Sequence, residues 1–461
     1  MIFSSATFLV FLAALLVLVA LARSETQRKV ILFAASLFFY GWWDWRFCFF
    51  LVVASVIDYR LALLIHEAPT PALKKRWLIL SVTWNLGILA VFKYAGWLLR
   101  NLAAVLPLPE GTIPTLDIPL PLGISFFTFQ AMSYTIDVYR GQFNPTRRLS
   151  DFAFSMSFFP HLIAGPIVRA AHFMPQLAGN HPLQRDHLLE GFSRFAKGFL
   201  KKTLLADQLA VCADAVFADP TFYSPATCWL GVLAYTAQIY YDFSGYTDMA
   251  IGLARMFGYR FPENFDHPYL SHNITEFWRR WHISLSTWLR DYLYISLGGN
   301  RRGRAQTYVN LIITMLLGGL WHGANWTFVA WGALHGTALA VHKAWRERWP
   351  EPRPVSRVLG PVFTFLFVVL CWVFFRAQDF STAHTVLAKL AFLSPGGADW
   401  PHVQSLVALG LAIAAHAAVV RGTPVRFDLR LPLHLAALFG LLAIDLLYAR
   451  AGHNPFIYFQ F

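Results

Sequence analysis

The chain has 461 residues, of which 57% are hydrophobic, 16% aromatic and 14% charged, with a mean hydropathy of +0.47. An ordinary soluble domain carries about 25% charged residues, so this balance excludes a soluble globular enzyme. The formal net charge of +13 does not point to nucleic acid, because the basic residues fall in short clusters between apolar runs, as in the cytoplasmic loops of a membrane protein.

Taken in chain order, apolar runs at about 2–22, 30–42, 47–65, 77–92, 120–136, 152–168, 228–257, 308–342, 358–375, 403–420 and 431–449 predict about ten to twelve membrane elements. The first ends in Ala20-Leu21-Ala22 and so imitates a signal-peptide cleavage site. It has no basic segment ahead of it and many spans after it, so it is read as a span. No fixed-period repeat, low-complexity linker or soluble domain interrupts the series. The chain reads as one all-α, polytopic domain over 1–461: N-terminal spans at 1–150, a catalytic core at 151–357 with amphipathic and re-entrant helices, and C-terminal spans with a tail at 358–461.

Charge bias orients the spans. Arg23, Arg28 and Lys29, then Lys74, Lys75 and Arg76, then Arg140, Arg147 and Arg148 form basic loops, whereas the 101–119 loop carries only Glu110 and Asp117. The positive-inside rule then puts the N-terminus outside. Residues 203–254 contain no Lys or Arg but do contain Asp207, Asp214, Asp219, Asp242 and Asp248, which places 207–224 outside and 255–304 in the cytoplasm. Cys48, Cys212, Cys228 and Cys371 are scattered, without metal-ligand or disulfide spacing, and read as packing thiols. Asp242 and Asp248 lie in a largely apolar run and need cationic partners, for which the arginines after Arg255 are candidates. Structural ion pairing fits them better than catalysis, since nothing couples them as acid and base.

The centre of the chain is 273–341. Asn273 with Glu276 three residues on resembles a capping box, and Trp278, Trp281, Leu285, Trp288, Leu289 and Tyr292 recur at helical spacing, predicting one amphipathic interfacial helix. It carries His282, Ser286, Arg279, Arg280 and Arg290. Two readings are open: a membrane-surface strut, or a strut whose arginines also bind an anionic donor such as coenzyme A. Residues 305–342 then contain no Asp, Glu, Lys or Arg, yet include His322 between Trp321 and Gly323. Basic residues flank this run on both sides, so it must leave and return to the same face, turning near Gly323-Ala324-Asn325. About 14 residues from Tyr308 place His322 roughly 20 Å into the membrane. A histidine there either bonds a neighbouring helix or faces a cavity as a base, and polar groups at that depth default to function. Asn325, one turn on, orients its ring if helix continues. Metalloprotease, GxSxG hydrolase and P-loop patterns have no match.

Five stretches together resemble the membrane-bound O-acyltransferase family: PLGISFFTFQAMSYTIDVYRG at 121–141, FFPHLIAGPIVR at 158–169, YDFSGYTDMAIG at 241–252, ITEFWRRWHISLSTWLRDYLYISLGGNRRG at 274–303 and MLLGGLWHGANWTF at 315–328. The resemblance implies a ring of membrane helices around a thin waist, where a cytoplasmic donor meets an acceptor from the far side. It implies His322 as the catalytic histidine and His282 as the second functional one. Trp321, Asn325, Arg279, Arg280 and Ser286 are the candidate substrate contacts, and no metal is implied. The implied activity is acetyl transfer from acetyl-CoA across a bacterial inner membrane, with a periplasmic acetyltransferase as partner and an exported polysaccharide, alginate or similar, as indirect acceptor. A proton-coupled transporter or flippase is the alternative from a different class, with the midplane histidine and buried aspartates as its relay.

The tail, Pro455-Phe456-Ile457-Tyr458-Phe459-Gln460-Phe461, resembles the C-terminal motif of small acyl-carrying membrane peptides that work with the family. Tyr458 is therefore either an aromatic-belt anchor or a phenol that accepts the acyl group. Tyr458→Phe keeps the apolar area and removes the hydroxyl. An anchor tolerates the change, whereas a carrier loses polymer acetylation, read as acetate released from isolated polymer by mild alkali. Reporter fusions test the orientation: those after Arg148 and Arg302 should read cytoplasmic, and those near Asp117, Asp219 and Gly396 external.

Overall fold

A computed structural model describes residues 1–106, 118–350, 354–400, 402–423 and 428–448. The tail with Tyr458, and Glu110 and Asp117 of the preceding acidic loop, lie outside the described residues. Among the described residues every regular element is a helix, apart from one isolated bridge between Tyr223 and Ala398. This is the fold lipid demands, because a helix satisfies its own backbone hydrogen bonds. The chain divides into two compact units, Met1–Gly191 with Ala250–Pro262, and Phe192–Met249 with Glu263–Phe461.

The first unit contains α1 (Ala6–Leu21), α2 (Glu25–Gly41), α3 (Arg46–Glu67), α4 (Pro71–Leu89), α5 (Ala95–Val105), α6 (Ile124–Tyr139) and three short helices, α7 (Leu149–Ser157), α8 (Phe159–Leu162) and α9 (Ala170–Phe173). Ser5, Ser24 and Thr70 cap α1, α2 and α4 through their side-chain oxygens, and a π-helical turn, Ala90–Tyr94, joins α4 to α5. Leu9, Val10, Val17, Phe49, Ile79, Leu80 and Leu98 face outward. In water they would form an aggregating patch, but here they are the lipid face. Inside, Asn85 Nδ2 donates to Asp58 Oδ1 at 2.8 Å and the Ser81 hydroxyl lies 3.0 Å from Thr135 Oγ1. These contacts tie α3, α4 and α6 together by hydrogen bonding, which packing between apolar surfaces in lipid cannot replace.

The run at 152–168, expected as one span, is not one helix. It breaks at Phe158, whose ψ is 112°, ahead of Pro160, and again at Gly165, whose φ of +153° precedes Pro166. Gly123 starts α6 with φ +74° and presses against the Leu162 carbonyl, where a Cβ would collide. The sequence hydropathy is that of a span, but two prolines and one glycine divide it into short helical pieces.

The second unit takes in most of α10 (Arg185–Leu200), which runs through a π-helical turn into α11 (Asp207–Ala218), and most of α12 (Pro225–Met256). It continues with α13 (Ile274–Arg280), α14 (Ile283–Trp288), α15 (Arg304–His322), α16 (Trp326–Arg348), α17 (Pro354–Arg376), α18 (Phe380–Leu390), α19 (Val403–Val420) and α20 (Pro432–Tyr448). Gly198 and Gly245 face each other so closely that a Cβ on either would strike the other's carbonyl. That approach carries the basic face of the 192–202 stretch onto the acidic face of α12. Asp248 pairs with Lys201 at 2.7 Å and Arg194 at 2.8 Å, and Asp242 pairs with Lys202 at 3.0 Å. The partners thus precede the aspartates in the chain. The expected donors beyond Arg255 are not these partners, and Arg255 itself pairs with Glu190 at 2.8 Å in the first unit.

Four helices are long and apolar enough to cross a membrane among the described residues: Arg46–Glu67, Pro71–Val105, Val358–Arg376 and Val403–Val420. The charge-free run at 305–342 forms a hairpin, in which α15 and α16 pack along their length and turn at Gly323, Ala324 and Asn325. Gly319, Gly332 and Gly336 bring the two backbones together, since a Cβ on any of them would overlap backbone of the facing helix. Cys212, Cys228 and Cys371 are buried free thiols and Cys48 is half-buried. We expect Gly332→Leu to lower the thermal midpoint of detergent-extracted protein or to prevent its recovery, because overpacking a close contact costs about 1–3 kcal/mol. Gly87→Ala, with nothing within 4 Å of a new Cβ, should be neutral or stabilising by up to about 1 kcal/mol. Equal behaviour of the two variants would refute the role given to the hairpin contact.

Candidate active site

His322 is the last residue of α15, because Gly323 follows in an extended conformation. Its ring is buried within three aromatic neighbours at close, steeply inclined angles: Trp321 at 5.0 Å and 80°, Trp331 at 5.2 Å and 85°, and Phe375 at 5.0 Å and 70° between centroids. Edge-to-face contact of this kind fixes a ring without supplying charge. Asn325 does not orient it. Helix does not continue past His322, and Asn325 instead caps α16 by accepting from Thr327 N–H at 3.1 Å while donating to the Gln378 carbonyl at 2.7 Å.

The single amphipathic helix expected after Asn273 is broken. Asn273 does cap it, accepting the Glu276 N–H at 2.9 Å, and the Glu276 carboxylate reaches back to the His272 N–H at 2.9 Å, one residue earlier than a standard capping box. The helix then stops at Arg280. Trp281 is extended, and His282 takes the left-handed conformation, φ 42° and ψ 55°, before α14 begins. A non-glycine residue held there costs of order 1–3 kcal/mol and persists only where its surroundings enforce it. The enforcing residue is Asn264, whose carbonyl accepts the Ile283 N–H at 2.9 Å and whose Oδ1 accepts the Ser284 N–H at 3.1 Å. His282 ends fully buried, edge-on to Phe243 at 4.6 Å, with Trp321 at 6.1 Å. Trp321 therefore stands against both histidines.

A third histidine was not anticipated. His335 on α16 is fully buried, accepts the Trp278 Nε1–H at 3.3 Å through Nδ1, and packs on Trp331 at 4.7 Å. The sequence carried a signal for it, a second histidine flanked by Gly332 and Gly336 in the same charge-free run.

Beside this aromatic cluster lies a cavity of about 1270 Å³, lined by Arg279, Arg290, Lys343, Arg346 and His342 together with Trp278, Ser286, Tyr294, Met315 and Trp345. Arg279 and Ser286 are thus brought together as candidate contacts. Arg280 is turned away, paired with Glu276 at 2.8 Å and Asp266 at 3.8 Å. Consecutive residues on a helix project about 100° apart, and only one of the two arginines can face the cavity. His322, His282 and Trp321 do not line it. Met315 does, and it sits seven residues before His322 on α15, about 10 Å along the helix axis. Trp278 forms the inner wall and packs on Trp331 at 5.7 Å, which in turn touches the His322 ring. Basic side chains at the rim suit an anionic ligand, and an apolar inner wall suits an uncharged reacting group beyond it.

Comparison with known proteins places this arrangement in context. The profile of the membrane-bound O-acyltransferase family matches residues 30–378. Over 397 residues the chain is 50% identical to a "Probable alginate O-acetylase" of Azotobacter vinelandii, an alignment that covers 85% of this chain and 78% of the relative. It is 40% identical over 405 residues to a peptidoglycan O-acetyltransferase of Helicobacter pylori, covering 82% of this chain and 76% of the relative. A teichoic acid D-alanyltransferase of Bacillus subtilis is more distant, 27% identical over 308 residues, or 61% of this chain and 78% of that one. The matched region contains both helices of the hairpin, the broken amphipathic segment and the buried His282, His322 and His335, and the chain belongs to the membrane-bound O-acyltransferase family as an all-helical membrane O-acyltransferase.

Proposed function

We propose that this enzyme takes an acetyl group from acetyl-CoA on the cytoplasmic side of a bacterial inner membrane and passes it towards hydroxyls of an exported polysaccharide, alginate or a close analogue. The observation that carries this reading is a buried histidine at the end of a hairpin, separated by an aromatic wall from a cavity rimmed with cations. Two of the relatives named above are acetyl-transferring by name, on alginate and on peptidoglycan. An acyltransferase family leaves the transporter alternative without support.

In this reading the phosphates of the donor meet Arg279, Arg290, Lys343 and Arg346, whose fixed positive charges suit a polyanion. The thioester end passes Trp278 and reaches His322. Trp321, Trp331 and Phe375 enclose its ring at steep angles and hold it in place for proton transfer. His322 then accepts the proton of the attacking hydroxyl as the new C–O bond forms and the C–S bond breaks. The same proton leaves on the CoA thiol. The attacking hydroxyl belongs to a carrier rather than to the polymer itself. Tyr458 is our candidate, in a two-step relay completed by a periplasmic acetyltransferase.

His322→Ala should leave the protein inserted and folded but reduce polymer acetylation by about 10²–10⁴-fold, the usual contribution of a positioned base. Normal acetyl content in that variant removes His322 from the mechanism. Replacing Arg279 and Arg346 together by Ala should raise KM for acetyl-CoA by at least about 10-fold, since a charge-assisted hydrogen bond contributes about 1.5–3 kcal/mol. Labelled acetyl-CoA supplied to membrane vesicles reads this, and an unchanged KM would mean that the donor binds elsewhere.

A further inference from the structure

Asn264 is fully buried and stands against the break in the backbone at His282. Its Oδ1 accepts from the Ser284 N–H at 3.1 Å and from the Ser284 hydroxyl at 2.9 Å, and lies 3.2 Å from His282 Nδ1. Its Nδ2 faces the other way, 3.5 Å from Thr247 Oγ1. The orientation of an amide and the tautomer of an imidazole are read from the network around them. Here the reading is forced. A backbone N–H can only donate, so the amide atom facing Ser284 is the oxygen. An amide oxygen can only accept, so in its contact with His282 the hydrogen belongs to Nδ1. A neutral imidazole with hydrogen on Nδ1 carries its lone pair on Nε2.

We propose that Asn264 is the positioning residue of His282, holding the ring as the Nδ1–H tautomer so that Nε2 acts as a hydrogen-bond acceptor during acyl transfer. The assignment rests on the reading of His282 as the second functional histidine, and it specifies what that histidine does. An acceptor nitrogen receives an O–H group, such as the hydroxyl about to be acylated. It does not hydrogen-bond a thioester carbonyl oxygen, which would need an N–H on that edge. The left-handed turn at His282 and its anchoring by Asn264 are then one device, since the residue that enforces the backbone conformation also sets the proton on the ring.

The test has two arms. Nitrogen-15 spectra of full-length protein labelled at the imidazoles and reconstituted in vesicles, with His282→Gln subtracted to assign the signal, should show His282 protonated at Nδ1 and bare at Nε2. An Nε2–H signature overturns the proposal. In native-host membrane vesicles given labelled acetyl-CoA, Asn264→Ala should lower kcat by about 10²-fold with KM little changed, the loss expected when a positioned acid–base group is misaligned. Asn264→Asp preserves both Ser284 contacts and should recover most of that rate at alkaline pH. Its acidic limb should move up by about one unit or more, because a carboxylate beside the ring favours imidazolium. A residue that merely caps α14 would be rescued by Asp at every pH with the limb unmoved, which also overturns the proposal. His282→Gln separates the two ideas. If it retains the wild-type rate, the functional reading of His282 falls. If it is inactive while Asn264→Asp leaves the limb in place, only the role of Asn264 falls. Should the Asp variant fail to insert, the spectrum of the unaltered protein decides.

Discussion

The close approach of α15 and α16 is the constraint on which the site depends. The hairpin has no charged side chain between residues 305 and 342, so the ion pair between its helices, Arg304 with Glu347 at 3.4 Å, lies at its open end and cannot hold the turn where His322 sits. Nor does the hydrophobic effect drive two apolar helices together in lipid, where the surroundings are as apolar as the partner. What remains is backbone-to-backbone packing at Gly319, Gly332 and Gly336. Bringing the axes that close leaves no room between the helices for large side chains. Trp321, Phe328 and Trp331 must therefore lie to one side, where Phe375 of α17 completes the enclosure of His322. A looser hairpin would put an aromatic residue at the seam and open the box.

Ion pairs do their work elsewhere in the second unit. Lys202 and Asp242 are both almost fully buried, and Asp248 is reached by two cations. Burying such pairs gives little net stability, because desolvation offsets most of the attraction, yet removing one partner strands a charge and costs about 3–5 kcal/mol. Their effect is to fix register. The glycine pair at 198 and 245 sets how near the 192–202 stretch comes to α12, and the two aspartates, six residues apart, set where along the axis it stops. Slippage by one turn would leave a lysine facing an apolar surface.

Much of this was legible in the sequence. Composition and run length identify an all-helical membrane protein, and basic residues on both sides of an uncharged run predict a hairpin. His322 stands out because a titratable group is costly there. Other features were hidden for identifiable reasons. The interruption at 158–166 is decided by Pro160 and the Gly165-Pro166 pair, which hydropathy does not weigh. The choice between Arg279 and Arg280 depends on helix rotation, which only the positions of Glu276 and Asp266 reveal. Asn264 carries no local signal, since its role exists only through a neighbour 18 residues away.

The broken helix at His282 shows why local periodicity misled. Trp278, Trp281, Leu285 and Trp288 do recur at helical spacing, and a continuous helix would bury that stripe while turning His282 about 100° away from Trp281 and off it. The two side chains need different surroundings. Trp281 packs against Phe265 at 5.1 Å and Trp372 at 5.0 Å, whereas His282 lies against Phe243 and Trp321. An extended residue followed by a left-handed one lets both consecutive side chains be buried in separate surroundings, which the single buried stripe of a regular helix does not allow. Glycine would adopt φ 42° more readily but would remove the imidazole. The chain instead keeps histidine in the strained position and supplies the restraint from Asn264, whose hydrogen bonds to Ile283 and Ser284 replace those that the interrupted helix would have made. Local propensity gives way to tertiary bonding at this one point, and such conflicts concentrate where a side chain must be presented for chemistry.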